Sequence, residues 1–259
     1  MRNSAIVVPC YNEFDRLPKD QFVRFCQSNT DIDFIFVNDG STDKTHEAIA
    51  FVEERCGGKA RGIALGKNCG KAEAVRQGFL KAIDEGFSYI GYWDADLSTP
   101  LESIRKLRTE LEGKKYSIAM GSRVKLLGRS IERMAARHYL GRVFATFASL
   151  TLGLGVYDTQ CGAKIFRNDH FLRPVFSLPF SVKWTFDVEI LARYRVICER
   201  EGISIRDLAV EYPLETWTHV AGSKVTPADF FIGSFELFRI CLYLRAPVFA
   251  RVYAAQLRG

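Results

Sequence analysis

The chemistry in this 259-residue chain is densest in the stretch Trp93-Asp94-Ala95-Asp96-Leu97-Ser98-Thr99-Pro100. Two carboxylates lie one residue apart, directly after the apolar, β-prone run Tyr89-Ile90-Gly91-Tyr92-Trp93. Uncompensated charge at the end of a buried strand is costly. A partner is therefore implied: a basic side chain, a metal ion or a set of backbone donors. Carboxylate oxygens suit hard cations such as Mg2+ or Mn2+, and Mg2+ typically takes one or two protein carboxylates together with substrate phosphates. Where the strand ends the chain turns, so Asp94 and Asp96 can both reach one ligand. An Asp-x-Asp triplet is a weak signal by itself. Lys67, Lys71 and Arg123, with Gly70 between the lysines, are candidates to hold phosphate. No GxGxxG follows the first strand and no GxxxxGK[ST] occurs, so a dinucleotide fold and a P-loop are both disfavoured.

The elements that must position these groups alternate. Ala5-Ile6-Val7-Val8, closed by Pro9, predicts a buried first strand, and residues 17–28 carry apolar side chains at helical spacing. Residues 32–37 read as a second strand, ended by Asn38-Asp39-Gly40-Ser41-Thr42-Asp43, where Thr42 or Asp43 can cap a helix over 44–56. A strand over 61–65, a helix over 71–85, a strand over 89–93 and a helix over 101–111 follow. Strands alternating with helices define an α/β chain with a mostly parallel sheet, whose ligands bind beyond the carboxyl ends of the strands. Cys10-Tyr11-Asn12-Glu13, Asn38-Asp39-Gly40 and Asp94-Ala95-Asp96 all fall there. A polar turn or helix cap explains any one of them; three on one edge point to a shared crevice.

The second half is less regular. Residues 117–120 read as a strand, 130–156 as a long helix without charge from Val143 to Val156, and 230–244 as an apolar helix carrying Glu236 and Arg239. Core packing and a membrane-surface role both fit these helices, and flanking arginines favour the membrane. The division expected is a catalytic domain over 1–229 and a membrane-proximal helical tail over 230–259.

Composition narrows the setting. The formal charge is +6, which suits anionic partners without choosing one. The basic residues are dispersed and no nucleic-acid recognition motif occurs, so nucleic acid is not expected. The seven cysteines include no CxxC pair, which argues for a reducing compartment. The N-terminus lacks a signal-peptide core, and no window of about 18 uninterrupted apolar residues predicts a spanning helix. The expected location is cytoplasmic, peripheral at the cytosolic membrane face.

Val8-Pro9-Cys10-Tyr11-Asn12-Glu13, residues 37–43, Lys67-Asn68-Cys69-Gly70-Lys71 and Asp94-Ala95-Asp96, in this order and spacing, resemble the family 2 glycosyltransferases of the GT-A fold. Gly121-Ser122-Arg123, residues 158–166, residues 184–189 and Gly222-Ser223-Lys224-Val225 are similar to those of the polyprenyl- and dolichyl-phosphate glycosyltransferases, most of all those that move glucose. The likeness runs from about Ile6 to Leu244.

The resemblance implies an inverting, metal-dependent transferase that moves a hexose from a nucleotide sugar, UDP-glucose before GDP-mannose, to a polyprenyl phosphate. It implies that Pro9, Tyr11 and Glu13 line the nucleotide pocket, that Asp39 bonds the base or ribose, and that Lys71 sits near the nucleotide. Asp94 and Asp96 would hold Mg2+ or Mn2+ on the diphosphate, and Arg123 would meet the acceptor phosphate. Asp158 and Gln160 would lie on the sugar side; Trp184, before Asp187 and Glu189, would pack on the sugar, and Lys224 would close over phosphate. Two departures stand out. Ala72-Glu73 follows Lys71 where relatives often have a glycine, so Glu73 should point away or pair with a lysine. The terminal spanning helix of some relatives has no counterpart here. A lipid phosphate is largely ionised and needs no strong base, whereas a hydroxyl acceptor would need Asp158 or Asp187 as base. The lack of a clear base motif favours the phosphate. A hydroxyl-acceptor transferase of cell-surface glycans and a nucleotide-sugar binder without turnover are the alternatives.

Overall fold

The computed structural model describes residues 3–131, 135–220 and 227–246. The first half runs β1 (Ser4–Cys10), α1 (Lys19–Ser28), β2 (Ile32–Asn38), α2 (Thr45–Arg55), β3 (Ala60–Ala64), α3 (Lys71–Asp84), β4 (Tyr89–Trp93), α4 (Ser103–Leu111) and β5 (Ile118–Ser122). These match the elements expected from periodicity to within about two residues at each end. The second half adds β6 (Ser130–Ile131), α5 (Ala135–Leu152), β7 (Ala163–Arg167), α6 (Leu172–Ser177), α7 (Phe186–Arg200), β8 (Ala209–Pro213), β9 (Thr216–Trp217) and α8 (Pro227–Arg245). Sequence patterning assigns no element between 157 and 226. It also starts the long helix too early: Ser130 and Ile131 pair in parallel with Thr216 and Trp217, and the helix begins at Ala135.

Seven strands form one sheet in the order β3-β2-β1-β4-β7-β5-β8. All neighbours are parallel except β7, which runs antiparallel to both β4 and β5. Because β4 and β5 both oppose β7, the carboxyl ends of β1, β2, β4 and β5 share one edge. The register places Cys10 beside Asn38 and Val7 beside Tyr92.

Both sheet faces are covered. Ile6, Val8, Phe34 and Phe36 face one cluster with Phe22, Ile49, Ile104 and Leu107 of α1, α2 and α4. Val7, Ile35, Val37 and Tyr92 face the other, with Phe79, Phe176 and Leu191 of α3, α6 and α7. The period of two along continuously buried strands is the mark of a sheet sandwiched between helices. Phe79 and Phe176 stack at 4.1 Å between centroids. Phe144, Ala148 and Leu152 of α5 and Leu237 and Ile240 of α8 join this second cluster, so these helices each commit one face to the core. Their other faces are bare: Val143, Phe147 and Leu150 on α5, and Phe231, Phe235 and Phe238 on α8, are 55–81% exposed. Among the described residues no helix is long and apolar enough to cross a membrane.

Candidate active site

A cavity of about 540 Å3 opens over the carboxyl edge of the sheet. It is lined by Pro9, Tyr11, Glu13, Asp39, Lys71, Asp94, Asp96, Arg123, Asp158, Gln160, Trp184 and Asp187, so residues spread over most of the sequence converge on one space. Lys224 and its motif lie outside the described residues.

The first wall is two loops stitched together. After β1 the chain turns at Asn12, whose φ is +49°. Its Oδ1 accepts from Thr42 N at 2.9 Å, Asn12 N donates to Ser41 Oγ at 3.0 Å, and Glu13 N donates to Thr45 Oγ1 at 2.8 Å. Asp43 closes the seam: one oxygen accepts from Phe14 N at 3.1 Å, the other from Thr45 N at 2.9 Å at the first turn of α2. Partial burial works against its charge, but the Thr45 hydroxyl and these amides outweigh it and hold the Asp43 carboxyl below its ordinary value. Asp39 is buried and accepts from Cys69 N at 2.7 Å and Gly70 N at 2.8 Å, which pins the loop before Lys71. Gly40 has φ +63°, and any Cβ there would collide with the Lys67 and Asn68 backbone.

The floor is the aspartate pair. Asp94 Oδ1 is 2.6 Å from Lys71 Nζ, and Asp96 Oδ2 is 2.9 Å from Arg16 Nη2. Enclosure opposes the charge on Lys71, but Asp94, Asp187 and Asp96 outweigh it and raise its pKa. The Asp94 carboxylate lies against Gly162, where a Cβ would overlap its oxygens. The missing Cβ of Gly162 therefore makes room for the Asp94 carboxylate itself. Glu73 turns aside, as expected, but its partner is an arginine rather than a lysine. Its oxygens take Arg76 Nε at 2.8 Å and Nη2 at 2.7 Å, together with Gln77.

The far wall comes from the second half. Arg123, just after β5, grips Asp158 through Nε at 2.6 Å and Nη2 at 2.8 Å. Glu211 of β8 holds this segment by accepting from the backbone N–H of Tyr157 and Asp158. Asp187, in the first turn of α7, accepts from Lys164 Nζ at 2.5 Å and from the Tyr92 hydroxyl. Lys164 is fully buried on the central strand β7 and also donates to the Cys161 carbonyl at 2.6 Å. Asp158 and Asp187 are thus both engaged by cations. Burial, chiefly, pushes the Cys161 thiol up to about 11, so it stays protonated at neutral pH.

Trp184 and Lys183 reach the cavity from a loop anchored by two buried glutamates. Glu189 accepts from the backbone of Ser181 and Val182. Glu236 of α8 accepts from the backbone N–H of Lys183, Trp184 and Thr185 and from the Thr185 hydroxyl. Lys183 has no acidic partner among the described residues. The sequence reading missed Arg16, Lys164, Lys183, Glu211 and Glu236 as site residues. Lys164 and Glu236 had a visible signal, a charge flanked by apolar residues within a strand or helix, which requires a partner where it is buried.

Residues 5–173 match the family described as Glycosyl transferase family 2. The chain belongs to that family, and its architecture is the GT-A fold the sequence resemblance implied. It is 33% identical over 238 residues to the dolichyl-phosphate beta-glucosyltransferase of Mus musculus, covering 86% of this chain and 69% of that one. The enzyme of the same name from Dictyostelium discoideum is 30% identical over 237 residues, covering 86% and 68%. Among solved structures, glucosyl-3-phosphoglycerate synthase from Mycobacterium tuberculosis with Mn2+, UDP-glucose and phosphoglyceric acid superposes with TM-score 0.65 at 17% identity, over 93% of this chain and 79% of that one.

Proposed function

We propose that this glycosyltransferase moves glucose from UDP-glucose to a polyprenyl or dolichyl phosphate, with inversion, at the cytosolic face of a membrane. The observation that carries the lipid acceptor is the two-sidedness of α5. Gly141, Phe144 and Ala145 line the cavity while Val143, Phe147 and Leu150 of the same helix stand exposed. One helix thus borders the reaction space on one side and offers an apolar surface on the other. The exposed phenylalanines of α8 extend the apolar surface of this helix pair, and peripheral contact with the bilayer through these faces keeps the lipid chain out of water. The segment 230–259 serves as the membrane-proximal element.

The donor occupies the first wall, its nucleotide between the 9–13 and 38–43 loops and its diphosphate over Asp94 and Asp96. The two carboxylates fit Mg2+ or Mn2+. Their oxygens already attract cations, and no third His, Cys, Asp or Glu joins them among the described residues. Diphosphate oxygens would complete such a coordination shell. A bound divalent ion supplies Lewis-acid stabilisation of the leaving diphosphate. Lys71 adds a further positive charge beside the leaving group. Trp184 and Gln160 border the sugar, and Lys183 and Arg123 orient the acceptor phosphate for in-line attack. Lys224 is a further candidate for a phosphate contact. An ionised phosphate brings its own nucleophilic oxygen, which agrees with Asp158 and Asp187 both being committed to cations rather than poised as bases.

The test is nucleoside diphosphate release from a panel of nucleotide sugars with Mg2+ or Mn2+, with and without a polyprenyl phosphate in detergent. Release from UDP-glucose only when the lipid is present, with the sugar recovered in the organic phase, supports the proposal. Lipid-independent release moves the acceptor to water or a hydroxyl compound, and release from another donor reassigns the sugar.

A further inference from the structure

We propose that Arg16 and Lys71 are resident counter-cations of the Asp94–Asp96 pair, and that Arg16 acts as a latch which keeps a divalent cation out until the donor diphosphate arrives. The inference rests on the metal-dependent reading above and concerns a residue outside the sequence-derived site. Both oxygens of Asp96 are engaged: Oδ1 accepts from Ser98 N at 3.0 Å and Oδ2 from Arg16 Nη2 at 2.9 Å. Asp94 Oδ1 is engaged by Lys71 at 2.6 Å. With Glu13, 3.4 Å from Arg16, three carboxylates face two protein cations, so the pocket floor keeps only about one negative charge. The Arg16–Asp96 pair is half-buried, with side chains 22% and 19% exposed, so solvent screens it only in part.

A divalent cation that enters alone must share Asp96 Oδ2 with a guanidinium and leaves the floor with one surplus positive charge. A metal that enters with a diphosphate brings about as much negative as positive charge, and phosphate oxygens match the guanidinium fork and the ammonium point charge. Arg16 also has somewhere to go. Its Nη1 lies 3.4 Å from Glu13, which lines the same cavity, and its backbone is fixed by the turn in which Arg16 N and Leu17 N donate to the Glu13 carbonyl. Arg16 therefore changes partners without the chain moving. Metal and nucleotide affinities must then be coupled, and by linkage the coupling is reciprocal.

The experiment is a titration of Mn2+ followed by electron paramagnetic resonance, on the wild type and on Arg16→Gln, with and without UDP, and with GDP as a second nucleotide arm. The wild type is expected to bind Mn2+ at least about tenfold more tightly with UDP than without it. Arg16→Gln is expected to bind Mn2+ alone roughly tenfold more tightly than the wild type, because the competing cation is gone, and so to lose part of the coupling. Arg16→Lys, which keeps the charge, should retain most of the wild-type behaviour. Equal wild-type affinity with and without nucleotide overturns the latch. So does an Arg16→Gln protein that binds Mn2+ alone no better or worse, which would make Arg16 a support that positions Asp96. If Arg16→Gln does not fold, Arg16→Lys and the wild-type coupling still decide. No Mn2+ binding by any of the proteins with either nucleotide overturns the metal reading and the latch with it, a pattern distinct from failure of the latch alone.

Discussion

Glu236→Gln tests whether α8 is part of the active site or merely packed beside it. Glu236 sits on an apolar helix, yet its carboxylate takes the backbone N–H of Lys183 at 2.9 Å, of Trp184 at 3.0 Å and of Thr185 at 2.8 Å, and the Thr185 hydroxyl at 2.9 Å. Glutamine retains one acceptor oxygen and presents an NH2 group to the remaining donors. Three of the bonds converge on Oε2 and the Lys183 bond falls on Oε1, so at least one bond is lost and the others lose a charged acceptor; each bond to a charged acceptor contributes about 1.5–3 kcal/mol. Part of the cost is absorbed because Glu189 still holds Ser181 and Val182. A net penalty of roughly 2–4 kcal/mol on the 183–185 segment remains, equivalent to more than tenfold in the order of that loop. The expected result is a fall of at least about tenfold in kcat/KM for the acceptor, read from UDP release, while UDP affinity by calorimetry stays within about twofold. The nucleotide loops are stitched independently of α8, which is why the two readouts separate. Unchanged acceptor kinetics would refute the argument. Equal loss of UDP binding would show general unfolding rather than release of one loop.

Three further outcomes are expected. Lys164→Met leaves Asp187 buried without its cation and should cost about 3–5 kcal/mol, seen as a fall of roughly 10 °C in Tm by calorimetry; adding Asp187→Asn should recover part of it. Gly162→Ala should abolish transfer with little change in circular dichroism, because the new methyl takes the space of the Asp94 carboxylate; near-normal turnover would remove Asp94 from the mechanism. Asp43→Asn weakens the bonds that Phe14 N, Thr45 N and the Thr45 hydroxyl make to a charged acceptor and should destabilise the protein by about 1 kcal/mol at pH 7 in urea unfolding. The Asp43 carboxyl is depressed in the folded state, so its contribution is complete above the ordinary carboxylate value and is lost as pH falls through the folded one. The mutant and wild-type stabilities should therefore converge below about pH 4.

The first half of the fold and its share of the site were legible because their signals are local. Continuous apolar runs of four to seven residues between helix-period stretches identify buried parallel strands, and the rule that such sheets bind ligands at their carboxyl edge brought Tyr11, Asp39 and Asp94 to one crevice. The second half was not legible because what holds it is non-local. β6 and β9 are two-residue strands that exist only through each other, 85 residues apart, and neither carries a period of its own. β7 is a short strand whose second residue, Lys164, breaks its apolar pattern, and that lysine is stable only because Asp187, 23 residues on, is packed against it. The resemblance placed Asp158 and Asp187 in the site but said nothing of their partners, and the partners decide their chemistry.

The pairing of charges across the cavity accounts for these features together. Asp94 has Lys71, Asp96 has Arg16, Asp158 has Arg123 and Asp187 has Lys164. Each of these four carboxylates therefore has a cation of the protein against it. The pairs differ in depth. Lys164–Asp187 is 1% and 5% exposed and is fixed, whereas Lys71–Asp94 is 42% and 38% exposed and Arg16–Asp96 lies between them. Ion pairs at that degree of exposure are weak and exchange readily, while buried ones do not. The exposed pairs are those that the proposed function sets under the donor diphosphate, where cations would change partners during turnover. The buried pair lies beneath them, where Asp187 has to keep the Lys164 ammonium and the Tyr92 hydroxyl in place while the floor above rearranges.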